Sequence, residues 1–408
     1  YGLTFLDLSG NRITRGQTRT ICDVGLFPAY GLLYGSPLGC LCSEYINGYS
    51  ALAAEPPGAS VPDRLRLTKG PAFNEVRDVN TQIRTVEEWP MHMANPRRGS
   101  ASLSQLPENL EIAWQCRAAT WPDGTIVLDW KDNEKIVGLL TAPTVAADKV
   151  FVAAPDAHRL DALDAHSGEL AWSFTTSARI DSPPTILHGE RDTLCVFGCR
   201  DGFVYCLRAS DGVLAWKFFC GRTYRRICVQ SQLESPWPVY GSVQVSDGGL
   251  IVAAGRQSAT DGGIAIYKLA PSDGRILWRT RVWTDPDATA KLKDGDLIRS
   301  RTRNRRVNDL LVHNGRQVCL WITPFESEYA PGELVDIESS VYSARAMKFS
   351  IPSKGELREV DGATWLWAAS SGGLLSRRID SVGRHDARGV NYAQLNASKI
   401  CLAGDKLY

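Results

Sequence analysis

Residues 142–174 read APTVAADKVFVAAPDAHRLDALDAHSGELAWSF, residues 183–218 read PPTILHGERDTLCVFGCRDGFVYCLRASDGVLAWKF, and residues 241–280 read GSVQVSDGGLIVAAGRQSATDGGIAIYKLAPSDGRILWRT. Aligned, each opens on a short apolar strand, turns, and runs through β-branched or aromatic strands. Each then closes on Ser-Gly or Asp-Gly followed by a tryptophan. The closing pairs keep one spacing: Gly168 and Trp172, Gly212 and Trp216, Gly274 and Trp278. Successive tryptophans stand 44 and 62 residues apart, and the first interval is that of one four-stranded blade of a β-propeller. Asp211-Gly212 and Asp273-Gly274 suit a turn with positive φ, which glycine adopts without steric penalty. A tryptophan four residues on would sit on the outer strand and could cover the gap to the next blade. A blade buries only part of its apolar surface alone and needs a neighbour on each side.

Weaker copies follow at residues 308–325 and 361–380, which read as strand pairs with Asn-Gly and Gly-Gly turns. Residues 392–408 begin a blade that never reaches its Gly–Trp ending, while Leu6-Asp7-Leu8-Ser9-Gly10 resembles Leu163-Asp164 and Ser167-Gly168. The expectation is an all-β, seven- or eight-bladed β-propeller of four-stranded antiparallel blades at ~40–45 residues each. Residues 1–16 would supply the outer strand of the last blade, residues 17–100 a Cys/Gly/Pro-rich insertion and wrapping loop, and residues 101–408 the blades. Closure of that kind removes two exposed sheet edges. A chain cut from a longer polypeptide would equally explain the ragged ends.

Composition narrows the function classes. The 408 residues are 44% hydrophobic, too apolar for a disordered chain. Lys+Arg number 46 against 45 Asp+Glu, so the basic excess of a nucleic-acid binder is missing. No run approaches the ~18 apolar residues of a membrane span. The sequence contains no Cys-x-x-Cys, and its histidines are scattered, so no metal site is expected.

The Gly-x-x-x-Trp ending, fullest in residues 162–172, resembles the tryptophan-docking repeat of PQQ-like (quinoprotein-type) β-propellers. That superfamily also holds non-catalytic outer-membrane assembly propellers. Gly198-Cys199-Arg200-Asp201-Gly202, residues 233–239 (LESPWPV), Ala254-Gly255-Arg256 and Cys40-Leu41-Cys42 are similar to phrases of PQQ-binding-like repeat proteins among large exported bacterial proteins. The resemblance implies an exported location (periplasmic, cell-surface or secreted) and membership of a larger protein or assembly. Quinoprotein dehydrogenases of this superfamily hold their quinone with two adjacent cysteines and a Ca²⁺. This sequence has no adjacent cysteine pair, so no cofactor is expected and a PQQ-dependent oxidoreductase is the least favoured reading.

Eleven cysteines allow disulfides but not complete pairing. Cys22, Cys40 and Cys42 lie in a loop-rich stretch where a cross-link would restrict a long excursion, so Cys22 is expected to pair with Cys40 or Cys42. If Gly198 and Phe203 close their hairpin, Cys195 faces Cys206, as a disulfide after local adjustment or as two buried thiols.

Two arginine groups are candidate ligand sites. Arg299, Arg301, Arg303 and Arg305 would share one face of an extended strand and could grip sulfate, carboxylate or phosphate through forked hydrogen bonds; a solvated loop is the plainer account. Arg222, Tyr224 and Arg225, with Arg200, Asp201 and Arg256, fall in connections that open onto a propeller face and could line a central polar pocket. Asp201, Glu234, Asp261, His385 and Asp386 supply acid/base types, yet no spacing marks a catalytic pair. The first functional reading is therefore a non-enzymatic extracytoplasmic scaffold for a protein partner. The second is a carbohydrate-active lyase or hydrolase acting on anionic polysaccharide.

Overall fold

The computed structural model describes, with side chains, residues 25–35, 60–76, 88–96, 109–120, 139–189, 192–229, 232–256 and 261–281, together with some single positions. Elsewhere between Leu3 and Leu407 it describes the backbone of short strands. Three blades are complete. The first comprises Thr144–Ala146, Lys149–Ala154, Arg159–Asp164 and Leu170–Thr175. The second comprises Thr185–His188, Thr193–Gly198, Phe203–Arg208 and Leu214–Phe219, and the third Gln244–Ser246, Gly249–Ala254, Ile264–Leu269 and Ile276–Trp283. Within each, consecutive strands pair antiparallel in chain order. Leu366–Ser370, Gly373–Arg378, Ser381–Asp386 and Gly389–Asn391 make a fourth such meander, and residues 311–325 a three-stranded one.

The turn before each tryptophan is the same in all three blades. Gly168, Gly212 and Gly274 have φ of +73°, +75° and +67°. Their amides donate to the carbonyls of Asp164, Arg208 and Ala270, each at 2.9 Å. A one-residue bulge follows on the outer strand: Trp172 pairs with Ala162 but Leu170 with Leu163, so Ala171 is extra, as are Ala215 and Leu277 in the next two blades. Bulges re-aim side chains, and each of these immediately precedes its tryptophan. Trp172 Nε1 donates to the Ala209 carbonyl at 2.9 Å and Trp216 Nε1 to Pro271 at 3.0 Å. A Cβ built on Gly212 would lie 2.6 Å from the Trp172 ring, and one on Gly274 2.8 Å from that of Trp216. The tryptophan of one blade thus lies flat on the turn glycine of the next. Trp114, which has no glycine four residues earlier, makes the same contact with Ala165 and Gly168.

The core is layered between blades. Cys195, Phe197 and Leu207 pack with Phe151, Leu160 and Trp172 between the first and second. Val196, Cys206 and Trp216 pack with Leu250, Val252 and Tyr267 between the second and third. This arrangement corrects the cysteine expectation. Gly198 pairs with Val204, one residue beyond the assumed register, so Cys195 faces Leu207 and Cys206 faces Val196. A one-residue slip moves a side chain to the other face of a strand; the two thiols lie on opposite sides of the sheet, and both are free and buried.

Residues 60–76 form a strap. Leu67–Lys69 pairs antiparallel with the outer strand of the second blade. Leu334–Glu338 pairs parallel with that of the third. Both cover outer edges that would otherwise offer unpaired backbone groups. Arg98, further along the same excursion, is buried and donates to the carbonyls of His92, Ser242 and Leu311. Leu3–Leu6 pairs with Arg12–Arg15, and Leu402–Ala403 pairs with Lys406–Leu407 and Ala101–Ser102.

Candidate functional site

In a four-stranded meander the turn between strands two and three shares a face with the connection to the next blade. On that face Asp156, Arg200 and Arg256 each stand two residues past the second strand of their blade, which ends at Ala154, Gly198 and Ala254. The connections between blades supply Arg179, Asp181 and Glu234. Together they make one alternating ladder. Arg179 pairs with Asp156 through Nη1 and with Asp181 through Nε, the latter at 3.1 Å. Arg200 pairs with Asp181 through Nε and with Glu234 through Nη1 at 2.9 Å. Arg256 reaches the other oxygen of Glu234. Tyr240 completes the far end: its hydroxyl accepts from Arg256 Nη1 at 2.9 Å, and Arg200 lies 4.9 Å from its ring centroid. Three guanidiniums thus meet three carboxylates across three blades. Glu234 is 1% exposed and Arg179 2%, so neither has water as an alternative partner.

Burial raises the cost of the Asp181 charge, but Arg200 and Arg179 outweigh it and hold the carboxyl below its ordinary value. A carboxyl with a folded pKa below its unfolded value stabilises the fold above the latter and loses that contribution as pH falls through the former. The thermal midpoint is therefore expected to drop as pH falls below about 4, and Asp181→Asn to flatten that drop. An equally steep decline in the variant would remove Asp181 as a contributor.

The residues singled out in the sequence separate. Arg200 and Arg256 join the ladder. Asp201 is a turn anchor: its carboxylate accepts from Ser177 Oγ at 2.8 Å, Tyr205 Oη at 2.7 Å and the Phe203 amide at 3.0 Å. Burial and the adjacent Asp201 push the Tyr205 hydroxyl pKa up, which keeps it a donor. Arg225 pairs with Asp261 at 3.2 Å on the surface. Tyr224 stacks on Phe219 and donates to the Leu65 carbonyl of the strap. Arg222 turns instead toward the cleft between strap and third blade. Arg299, Arg301, Arg303 and Arg305, like Cys22, Cys40 and Cys42, lie outside the described residues. His385 and Asp386 fall on the strand Ser381–Asp386, described by its backbone. Among the described residues no group of three or more His, Cys, Asp or Glu could hold a metal. Asp156, Arg179, Asp181 and Tyr240 were not anticipated. The usable signal was the recurrence of a charged residue two positions after each second strand.

Residues 123–226 match the family model described as outer membrane protein assembly factor BamB, a span that holds the first two complete blades. Among solved structures, BamB from Moraxella catarrhalis is 14% identical, with 65% of this chain and 67% of that chain covered and a TM-score of 0.35. Quinohemoprotein alcohol dehydrogenase from Comamonas testosteroni is 12% identical, with 78% and 50% covered and a TM-score of 0.39. A europium-containing methanol dehydrogenase is 12% identical, with 74% and 57% covered and a TM-score of 0.39. The chain spans about half the length of these two dehydrogenases. No curated protein matches the sequence.

Proposed function

We propose that this PQQ-like β-propeller is a non-enzymatic, extracytoplasmic scaffold that engages a protein partner within a larger assembly. The observation that carries the reading is the ladder. Among the described residues of the face bearing the inter-blade connections, Asp156, Asp181 and Glu234 are spent on Arg179, Arg200 and Arg256. A general acid requires a carboxyl whose pKa is raised toward working pH, and Asp181 is shifted the other way. A ladder that ties three blades together makes a rigid platform. The match over residues 123–226 to a family described as an outer-membrane protein assembly factor supports both the scaffold role and the exported location. Exposed Leu233 and Tyr224, on the connection between the second and third blades, are where contact with a partner is expected.

A photoreactive amino acid at Leu233 or Tyr224, in cells of the native host, should give a discrete adduct with an envelope protein. Adducts confined to cytoplasmic proteins would overturn the export reading. Turnover of sulfated or uronic polysaccharide, or of alcohols in the presence of PQQ and Ca²⁺, would overturn the non-enzymatic one.

A further inference from the structure

A second concentration of charge lies away from the ladder. Between the strap and the third blade is a cleft of about 510 Å³, walled in part by Asp63, Arg66, Arg222, Tyr267, Arg279 and Arg281. That volume is in the range of small-molecule sites. Asp63 is the one carboxylate in the wall among the described residues, and a single oxygen of it, Oδ1, serves two cations: it accepts from Arg66 Nε at 3.1 Å and from Arg279 Nη1 at 2.6 Å. Arg66 is buried, held by the carbonyls of Phe219 and Gly221 and lying 5.7 Å from the centroid of the Tyr267 ring. Its placement is therefore fixed by the fold and does not depend on a ligand. Arg279 Nε is buried with no acceptor among the described residues. The Arg222 guanidinium finds no acceptor among the described residues and rests against Gly262, where a Cβ would come within 2.5 Å of Nη1. Arg281 stands in register with Asp336 of the neighbouring strand.

Among the described residues, the guanidiniums of Arg66, Arg222 and Arg279 against the Asp63 carboxylate leave a net excess of two positive charges around a half-open cleft. Arginine does not relieve such an excess by deprotonating, and like charges drawn together raise the free energy unless a counter-charge enters. The forked donors of guanidinium match the geometry of carboxylate, sulfate and phosphate oxygens.

We infer that this cleft binds a small oxyanion ligand, with Arg222 and Arg279 as its donors and Arg66 supplying fixed positive charge beneath. Such binding is independent of the scaffold reading: it requires no partner protein and no turnover, and either conclusion can fail alone. The test is calorimetric titration of the whole chain at low ionic strength with phosphate, sulfate and citrate, using chloride as reference. The expected result is saturable binding of at least one of the three at one site per chain. Arg222→Ala, a change at an exposed side chain that leaves the core intact, should weaken it by roughly tenfold. Asp63→Asn removes the competing carboxylate and should tighten it, a direction that partial unfolding cannot imitate. Preference among the three anions reports which oxyanion chemistry the cleft selects. No saturable binding beyond chloride, an affinity unchanged by Arg222→Ala, or weaker binding in Asp63→Asn would each overturn the inference.

Discussion

Trp216→Ala is expected to cost about 3–5 kcal/mol, the range for removing a buried large aromatic. Trp216 is fully buried in the layer between the second and third blades. Its indole N–H satisfies the Pro271 carbonyl at 3.0 Å, which the substitution would strip of its partner. The ring also lies on Gly274, so the cavity would open at the seam where one blade is keyed to the next. Denaturant unfolding of the purified chain measures the loss; a decrease below about 1 kcal/mol would mean that the seam is held elsewhere. Gly274→Ala probes the same contact from the other side. Its φ of +67° disfavours any side chain, and its Cβ would meet the Trp216 ring at 2.8 Å. About 1–2 kcal/mol is expected from the backbone alone. In the Trp216→Ala background the steric part should vanish, so the two changes should not add.

Glu234→Leu is the second large effect. The carboxylate is 1% exposed and ion-paired to Arg200 of the second blade and Arg256 of the third. Removing it strips Arg256 of its paired carboxylate and leaves Arg200 with Asp181 alone, a change that costs about 3–5 kcal/mol in comparable buried pairs. Replacing the guanidiniums as well, in Glu234→Leu/Arg200→Met/Arg256→Met, should recover most of that loss, because the penalty arises from the orphaned charges. Asp181 keeps Arg179 in the triple variant. A triple variant no more stable than Glu234→Leu would show that shape, not charge, is what the ladder contributes.

Legibility of the site followed sequence distance. Arg200 and Arg256 were singled out as charged residues next to turns, and they do meet, through Glu234. The other residues expected to line that pocket did not join them. Asp201 turned inward to Tyr205 and Ser177. Tyr224 and Arg222 were drawn to the strap, a segment more than a hundred residues away in the chain. Arg179 passed unnoticed because no local pattern distinguishes a ladder member in an inter-blade connection from a solvated turn residue, whereas Asp156 shares with Arg200 and Arg256 the position two residues past a second strand. Cys195 and Cys206 are the two buried thiols that stood as the alternative to a disulfide, but their opposed register turned on one residue of loop length: the turn runs from Cys199 to Phe203, not to Gly202, and so they pack into different layers.

What the chain determines locally is the blade. Alternating apolar strands, glycines at positive φ and tryptophans at fixed spacing depend on φ/ψ preference and a period of two, and both are properties of neighbouring residues. Only the assembled blades decided where each tryptophan docks, which carboxylate answers which arginine, and that an outlying strap completes a cationic cleft. Those outcomes depend on register, bulges and contacts between distant segments. A single-residue shift there exchanges one face of a sheet for the other while leaving every local preference satisfied.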